Sequence, residues 1–147
     1  EPMAKNTCGE ENLSEYAAIG CKVLEDYIEA FNTGDVHRWA AILHYPHIRI
    51  AGDVVRVWEN QEAFARDNDM TRLAEKINWG YNKWDWRHLA QFGPAKLHFT
   101  VQLSRYTVND VLISSFESLY IITRIGARWG VQGRSSYGGV FAENTGY

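Results

Sequence analysis

The sequence has few cysteines, few prolines and no long apolar run. Two cysteines, Cys8 and Cys21, occur among its 147 residues. That number is too small for a disulfide framework, and Cys21 falls within a predicted helix, so we expect both thiols to be reduced. No apolar stretch is long enough to span a bilayer, and residues 1–11 contain no apolar signal-peptide core. These absences predict a cytoplasmic protein with no membrane partner.

No excess of positive charge marks a nucleic-acid-binding surface. The formal net charge is −3, and no basic stripe alternates with aromatic residues, so we expect no nucleic-acid partner. No glycine-rich phosphate loop occurs, and Ser135 and Ser136 do not stand in a nucleophile elbow. His44 and His47 are spaced H-x-x-H, but no carboxylate stands at a matching distance. The sequence therefore predicts neither a metal site nor a cofactor.

Aromatic residues are abundant, at 14% of the chain, including six Trp and eight Tyr. Such a content is typical of a heavy core, a ligand pocket or a subunit interface, and composition leaves these alternatives open. The length suits one domain. We expect residues 1–11 to be a flexible N-terminus or a tag remnant, and residues 12–147 to form a single α+β domain.

The first helix is predicted from residue 12 onward. Asn12 and Glu15 are spaced as an N-cap and its capping-box partner. Apolar residues then recur at helical spacing for about twenty residues, which indicates one buried stripe. Gly34 is the natural left-handed residue after the helix end. Asp35 can cap a second, short helix, which Pro46 prevents from continuing.

A hairpin and a further helical segment follow. Residues 47–51 and 54–58 alternate between two faces around the turn signal at Gly52, which predicts two antiparallel strands. Ile48 and Ile50 fall on the face opposite to that of residues 47, 49 and 51. Residues 60–78 return to helical spacing, with a polar break near residues 67–69.

Three strands are predicted to close the chain: 97–106, 112–125 and 128–137. The second carries apolar residues on both faces toward its end, which suits a central strand or a strand covered by another subunit. Residues 79–95 contain three Trp and one Tyr and resist assignment. They are interpreted as an irregular segment, which covers a pocket or forms an interface.

The order of these elements resembles that of the nuclear transport factor 2-like superfamily, which includes SnoaL-like polyketide cyclases, ketosteroid isomerase and scytalone dehydratase. The resemblance covers roughly residues 12–137. Its most specific pieces are the segment YIEAFNTGD at residues 27–35 and the segment GARWG at residues 126–130. It implies a cystatin-like cone, with N-terminal helices packed on a strongly curved, mostly antiparallel sheet. It further implies a cavity for an apolar ligand and a homodimer formed through the open face of the sheet.

The best-known chemistry of that superfamily does not transfer directly. In ketosteroid isomerases, an aspartate near the end of the first strand shuttles the proton. The corresponding position here falls at Ile50 or Ala51, and neither side chain can carry a proton. Asp53 is close in sequence but lies in a predicted turn. The acidic base of the isomerases is therefore missing or replaced.

Three residues are candidates for acid–base chemistry. Tyr27 matches a pocket tyrosine of the resembled family and could donate a hydrogen bond to an oxyanion; the alternative is a core tyrosine. His47 is a candidate general base or a structural histidine. Glu117 lies among apolar residues on its strand, so it is either a buried acid or base, or half of an ion pair with Arg105 or Arg134.

A second set of residues is predicted to bind the ligand: Trp58, Trp84, Trp86, Arg105, Arg134 and Tyr137. His98 lies on the polar face of its strand, and we expect this face to be exposed or to form a dimer interface. The favoured function is a cofactor-independent isomerase, dehydratase or cyclase acting on a small apolar or aromatic molecule. The alternative is a non-catalytic module that binds a hydrophobic ligand or forms a homodimer.

Overall fold

Residues 6–137, which the computed structural model describes, form helices that pack on a single sheet. The helices are a 3-10 turn at Thr7–Gly9, α1 at Glu15–Asn32, α2 at Val36–Ala41, α3 at Gln61–Asp67 and α4 at Thr71–Ile77. The strands are β1 at Leu43–Ala51, β2 at Val54–Trp58, β3 at Trp79–Phe92, β4 at Lys96–Thr107, β5 at Leu112–Ile125 and β6 at Arg128–Ser136.

The sheet has the strand order β2-β1-β6-β5-β4-β3. Every neighbouring pair is antiparallel except β1 and β6, which are parallel. Register shifts interrupt four of the five pairings, and such bulges bend a strand and increase its local twist. The long helix α1 crosses the inner face of this sheet and contacts β3, β4 and β6. The predicted α+β architecture, with helices on a mostly antiparallel sheet, is confirmed.

The first helix begins two residues later than predicted. Ser14, not Asn12, is the N-cap, and its hydroxyl accepts a hydrogen bond from the backbone N–H of Ala17 at 3.3 Å. Glu15 is consequently the first helical residue rather than the partner in a capping box. The predicted end is confirmed, because Gly34 has a φ of +74°. Asp35 caps α2, because its carboxylate accepts a hydrogen bond from the backbone N–H of His37 at 2.9 Å.

The first strand is longer than predicted, and it buries its polar face. It begins at Leu43 and includes the cis peptide bond between Tyr45 and Pro46. The hairpin with β2 is confirmed, with Gly52 in the turn at a φ of +59°. The two isoleucines on β1 are exposed, whereas the face with the polar side chains of residues 47 and 49 is buried.

The segment at residues 79–95 is not irregular over most of its length. Residues 79–92 form β3, the edge strand that pairs with β4. Register shifts occur beside Gly80, Asp85 and Ala90. At each bulge the odd-numbered and even-numbered residues exchange faces, so a simple alternation of apolar and polar residues cannot be followed along the sequence.

The prediction of two reduced cysteines is wrong. Cys8 and Cys21 form a disulfide, with Cα atoms 5.6 Å apart, that joins the N-terminal 3-10 turn to α1. Thr7 and Asn6 also accept hydrogen bonds from the backbone of β3. Residues 6–11 are thus held against the domain rather than forming a flexible N-terminus. Cysteine counting missed this because the pair depends on how the turn folds back onto the helix. The prediction of a cytoplasmic protein depended in part on reduced thiols, and the disulfide removes that support.

Aromatic rings form the core between the helices and the sheet. Trp39 of α2 packs edge-on against Phe31 at a centroid distance of 4.6 Å and against Phe64 at 4.8 Å. Edge-to-face pairs at such distances add stabilisation beyond their buried area. Most of the unusual aromatic content therefore belongs to the core. Within residues 6–137, no helix is long and apolar enough to cross a membrane.

Candidate functional site

A small cavity of about 10 Å³ lies between α1 and the inner face of the sheet. Its lining combines aromatic rings, small polar groups and three arginines: Tyr27, Phe31, Arg49, Asn82, Leu103, Arg105, Phe116, Ser118, Tyr120, Arg134 and Ser136. None of these described lining residues is Asp or Glu. That space holds about one water molecule, so a larger ligand enters only if the lining side chains move apart.

One guanidinium joins two of the predicted site residues. Tyr27 lies on the buried stripe of α1, His47 on β1 and Arg134 on β6. The Nη1 atom of Arg134 donates to the Tyr27 hydroxyl at 3.0 Å, and its Nε donates to Nε2 of His47 at 3.1 Å. All three side chains are buried. The sequence identified each of these residues, and the structure brings them together through Arg134.

The Tyr27 hydroxyl is placed as a hydrogen-bond donor to the cavity. It accepts from Arg134 and, at the longer distance of 3.5 Å, from the hydroxyl of Tyr120. Burial and the neighbouring Tyr27 raise the pKa of Tyr120 well above its ordinary value. Both lone pairs of the Tyr27 oxygen are engaged, so its own O–H remains available to donate to a ligand atom.

His47 is a poor general base in this arrangement. Burial, with the charge of Arg134 second, lowers its pKa well below the ordinary histidine value. The ring is therefore neutral near pH 7, and its Nε2 lone pair accepts from Arg134. A lone pair held in this way cannot take a proton from a substrate unless Arg134 moves. We interpret His47 as the residue that orients the guanidinium.

The inner face of the sheet carries concentrated positive charge. Arg49 on β1 lies directly opposite Arg134 on β6 in the parallel pairing, and Arg105 reaches the same cavity from β4. Burial, followed by the charge of Arg134, lowers the pKa of Arg49 to about 10. The guanidinium of Arg105 also lies over the rings of Phe31 and Phe116, at 5.7 and 5.4 Å from their centroids. Such contacts stabilise buried cations.

The prediction of a buried Glu117 is wrong. Glu117 is exposed on the outer face of β5, opposite Gln102. Arg105 and Arg134 face inward, so neither pairs with it as expected. The error arose because Glu117 lies in a largely apolar stretch of sequence, while its immediate neighbours on the strand point to the opposite face. Glu117 does not share the cavity with Tyr27.

The predicted aromatic ligand wall is largely part of the core. Trp58 is buried, and its indole N–H donates to an aspartate at the end of α3 at 3.0 Å. Trp84 packs 6.1 Å from the Tyr27 ring, behind the cavity lining. Trp86 stands opposite an outward-facing glutamine of β4 and does not line the cavity. Tyr137 is 93% exposed. Of the predicted ligand-binding residues, Arg105 and Arg134 alone line the cavity.

Sequence reasoning missed most of the lining, including the polar residues Arg49, Asn82, Ser118, Tyr120 and Ser136. The usual rule places the apolar face of a strand inward, and it would have turned Arg49 toward solvent. A usable signal was present, however. Arg49, Arg105 and Arg134 each lie in a predicted strand that the fold packs against the helices. Their inward positions become clear only once the register of the sheet is known.

Two further histidines have structural partners. His44 bonds through Nδ1 to the Thr123 hydroxyl at 2.9 Å, and His98 bonds to Gln91 at 2.8 Å on the outer face, as the alternation of β4 indicated. Within residues 6–137, no three His, Cys, Asp or Glu side chains stand close enough together to hold a metal ion.

The chain matches the sequence model of a protein family described as NTF2-like protein (DUF6841), over residues 21–137. No curated protein shows significant similarity to the sequence. Solved structures do share its fold. A protein of unknown function with a cystatin-like fold from Nostoc punctiforme PCC 73102 superposes with a TM-score of 0.67 at 9% identity, covering 86% of this chain and 93% of that one.

Two other similar structures carry functional descriptions of their own. A ketosteroid isomerase-like protein from Erwinia carotovora atroseptica SCRI1043 gives a TM-score of 0.62 at 13% identity, covering 85% of this chain and 97% of that one. A protein from Catenulispora acidiphila in complex with S-DNPA gives a TM-score of 0.63 at 11% identity, covering 83% of this chain and 92% of that one. At these identities the likeness shows the fold alone. The predicted cystatin-like cone and superfamily are confirmed.

Proposed function

The chain belongs to the NTF2-like protein family (DUF6841), and from this premise we propose that it binds a small molecule in the cavity of its cone. Tyr27 and Arg134 are the residues that contact the ligand, and His47 holds Arg134 in position. The proposal concerns binding rather than turnover.

The observation that carries the proposal is the unfinished hydrogen bonding of Arg134. Two of its three nitrogens donate to Tyr27 and His47. The third, Nη2, is buried and has no hydrogen-bond partner within residues 6–137. A buried donor on a charged group without a partner is costly, by about 1–3 kcal/mol or more. A ligand atom accepting from Nη2 removes that cost.

The titratable groups of the lining favour binding over acid–base catalysis. Among the described lining residues these groups are two tyrosines and three arginines, which ordinarily titrate far above neutrality. His47 is nearby, but its acceptor nitrogen is occupied by Arg134. An isomerase, dehydratase or cyclase needs a group that exchanges protons near the working pH. The non-catalytic alternative is therefore the better supported function.

A cavity-filling pair of variants tests the proposal. Ser118 lines the cavity, whereas Ser115 lies on the same strand and is exposed on the outer face. In a thermal-shift screen of small metabolites, compounds that stabilise the wild type should lose their effect in Ser118→Leu and keep it in Ser115→Leu. Hits that stabilise both variants equally would place binding elsewhere. A screen without hits at millimolar ligand would count against a binding function altogether.

The outer face of the sheet supports a second proposal, a homodimer. Ile48 and Ile50 of β1 pair with Val57 and Val55 of β2, and all four are exposed. Charged side chains interrupt neither row of this hairpin face. Under two-fold symmetry the same apolar patch of each copy would face the other. A second copy of the chain is therefore the proposed partner, which sedimentation in solution tests.

A further inference from the structure

The N-terminal strap, residues 6–10, covers part of the free edge of the sheet. β3 lies at the edge of the six-stranded sheet, beside β4. The side-chain oxygen of Asn6 accepts a hydrogen bond from the backbone N–H of Arg87 at 3.2 Å, and the Thr7 hydroxyl accepts one from that of Leu89 at 3.0 Å. Edge strands present backbone groups that can pair with another chain, and proteins commonly cover them. The strap therefore occupies two edge donors of β3.

Helix α1 covers another part of the same edge. The side chain of Asn32, at the end of α1, accepts a hydrogen bond from the backbone N–H of Asn82 at 2.8 Å and donates to the carbonyl oxygen of Asn82 at 2.9 Å. The helix has 18 residues, and its buried stripe packs in the core. This second cover is therefore held by the core and does not depend on the strap.

Hydrogen bonds alone hold the strap weakly. Beyond the two bonds to the backbone of β3, the Thr7 hydroxyl contacts Nδ1 of His88 at 3.3 Å. Asn6 is exposed, Thr7 is half-buried, and no residue of the 3-10 turn is fully buried. Water replaces hydrogen bonds at such positions at little net cost, whereas fixing residues 6–10 costs backbone entropy at each of them. We therefore expect the strap to need a covalent attachment.

That attachment is the disulfide between Cys8 in the strap and Cys21 in α1. Both cysteines are half-buried rather than enclosed, so a small dithiol can reach them. We propose that this disulfide is a redox-controlled latch. The oxidised form keeps the strap on β3, and the reduced form releases it and uncovers the backbone N–H groups of Arg87 and Leu89. The edge beside Asn82 stays covered in both forms.

The latch opens when a dithiol reduces the disulfide. A thiolate of the dithiol attacks one sulfur atom, the S–S bond breaks, and a mixed disulfide forms. The second thiol of the reductant then attacks the mixed disulfide and releases the protein. Cys8 and Cys21 become thiols by gaining two electrons and two protons, and the dithiol is oxidised to its own disulfide. A disulfide oxidant closes the latch by the reverse exchange.

Hydrogen exchange of single amides in the wild type tests the latch. NMR spectra recorded with and without dithiothreitol would follow Arg87, Leu89 and Asn82, and alkylation without denaturant would count the thiols. Arg87 and Leu89 should exchange at least about tenfold faster in the reduced protein, and reoxidation should restore the slow rates. Asn82 is the matched control, because its N–H also donates to a side-chain oxygen at this edge. Its exchange rate should stay unchanged.

Variants separate the disulfide from the hydrogen bonds of the strap. Cys8→Ser combined with Cys21→Ser should show the fast exchange of Arg87 and Leu89 without reductant and should not respond to dithiothreitol. Thr7→Val keeps the disulfide but removes the acceptor for the N–H of Leu89. In this variant Leu89 should exchange faster while Arg87 keeps its wild-type rate. An unchanged rate at Leu89 would overturn the assignment of Thr7 as its cover.

The exchange rates of the reduced wild type decide the proposal. Unchanged rates at Arg87 and Leu89 would overturn the latch. An equal increase at Asn82 would also overturn it, because the disulfide would then stabilise the whole domain rather than the strap. A reduced protein that loses its circular dichroism spectrum would have the same consequence, as would a disulfide that dithiothreitol cannot reduce in the folded protein.

Discussion

At the scale of single residues, Arg134 links three elements of the fold. Its guanidinium bonds to Tyr27 on α1 and to His47 on β1, while its own backbone lies in β6. It also lies over the Trp39 ring, 5.3 Å from its centroid. A buried cation of this kind is tolerated because acceptors and an aromatic face replace part of its hydration. It fixes the positions of the two side chains that the sequence marked as catalytic candidates.

The neutral state of His47 predicts a loss of stability in mild acid. Its pKa is lowered well below 6.5 in the folded protein, whereas the unfolded chain takes up the proton near its ordinary value. Below about pH 6.5 the unfolded state therefore binds more protons, and stability falls as pH decreases toward the folded pKa. This contribution reaches up to about 1.4 kcal/mol per pH unit. Urea unfolding at pH 7.5, 6.5 and 5.5 would measure it.

The variant His47→Gln isolates this contribution, because glutamine keeps a hydrogen-bond acceptor but does not titrate. Its stability should vary less between pH 6.5 and 5.5 than that of the wild type. His37 is exposed on α2, so His37→Gln should retain the wild-type pH dependence. Identical slopes for the wild type and His47→Gln would contradict the lowered pKa.

Residues differ in how far their positions follow from sequence. Tyr27 was placed correctly because α1 has an uninterrupted apolar stripe, and helical spacing alone decides which side faces inward. Glu117 was not, because alternation along a strand defines two faces without saying which one is buried, and for the same reason the sequence assigned Arg49 to neither face. The apolar rule fails where the inner face holds buried arginines and the outer face carries isoleucine and valine.

At the scale of elements, the packing of α1 on β4 depends on Gly20. A Cβ atom at this position would stand 2.1 Å from Cε1 of Phe99 and 3.2 Å from Cδ1 of Leu97. Both partners are fully buried core side chains, at 0% exposure. The helix therefore approaches the sheet more closely at Gly20 than any residue with a side chain permits.

Gly20→Ala is expected to destabilise the protein although it improves helix propensity. The propensity gain is about 0.5–1 kcal/mol, whereas forcing extra atoms into a packed core costs about 1–3 kcal/mol. The cost of the steric contact should exceed the gain in helix propensity, so urea unfolding should give a lower free energy of unfolding than in the wild type. Ala18→Gly, at an exposed position of the same helix, would measure the propensity contribution alone. A net gain in Gly20→Ala equal to the loss in Ala18→Gly would show that the contact is absent.

Elements with regular geometry were predicted well and interrupted ones were not. The bounds of β5 agree with the predicted residues 112–125, because its faces alternate without a break from Ser114 to Thr123. Its own bulge, beside Ile113, lies close to the beginning of the strand. Bulges along β3 shift the alternation three times, and aromatic residues then fall on both faces. The disulfide between Cys8 and Cys21 depends on a tertiary contact of the N-terminal turn, for which the sequence has no periodic signal.

At the scale of the whole molecule, the two faces of the sheet have different characters. The inner face combines a small cavity lined by three arginines with an aromatic core. The outer face of β1 and β2 exposes Ile48, Ile50, Val55 and Val57. Exposed apolar patches of this kind mark interaction surfaces when they are contiguous. The cavity binds the ligand in this proposal, so the outer face is left for a second copy of the chain.

The proposed homodimer predicts a specific effect of a charge on the outer face. Val57→Lys should convert a dimer at micromolar concentration into a monomer in sedimentation velocity, because a lysine there would be buried without a partner. Val108 is similarly exposed, at 61% against 51% for Val57, but lies in the turn between β4 and β5. Val108→Lys should therefore remain dimeric. A wild type that is monomeric at micromolar concentration would remove the proposal. If Val57→Lys still forms a dimer, the interface does not involve the outer face of β1 and β2.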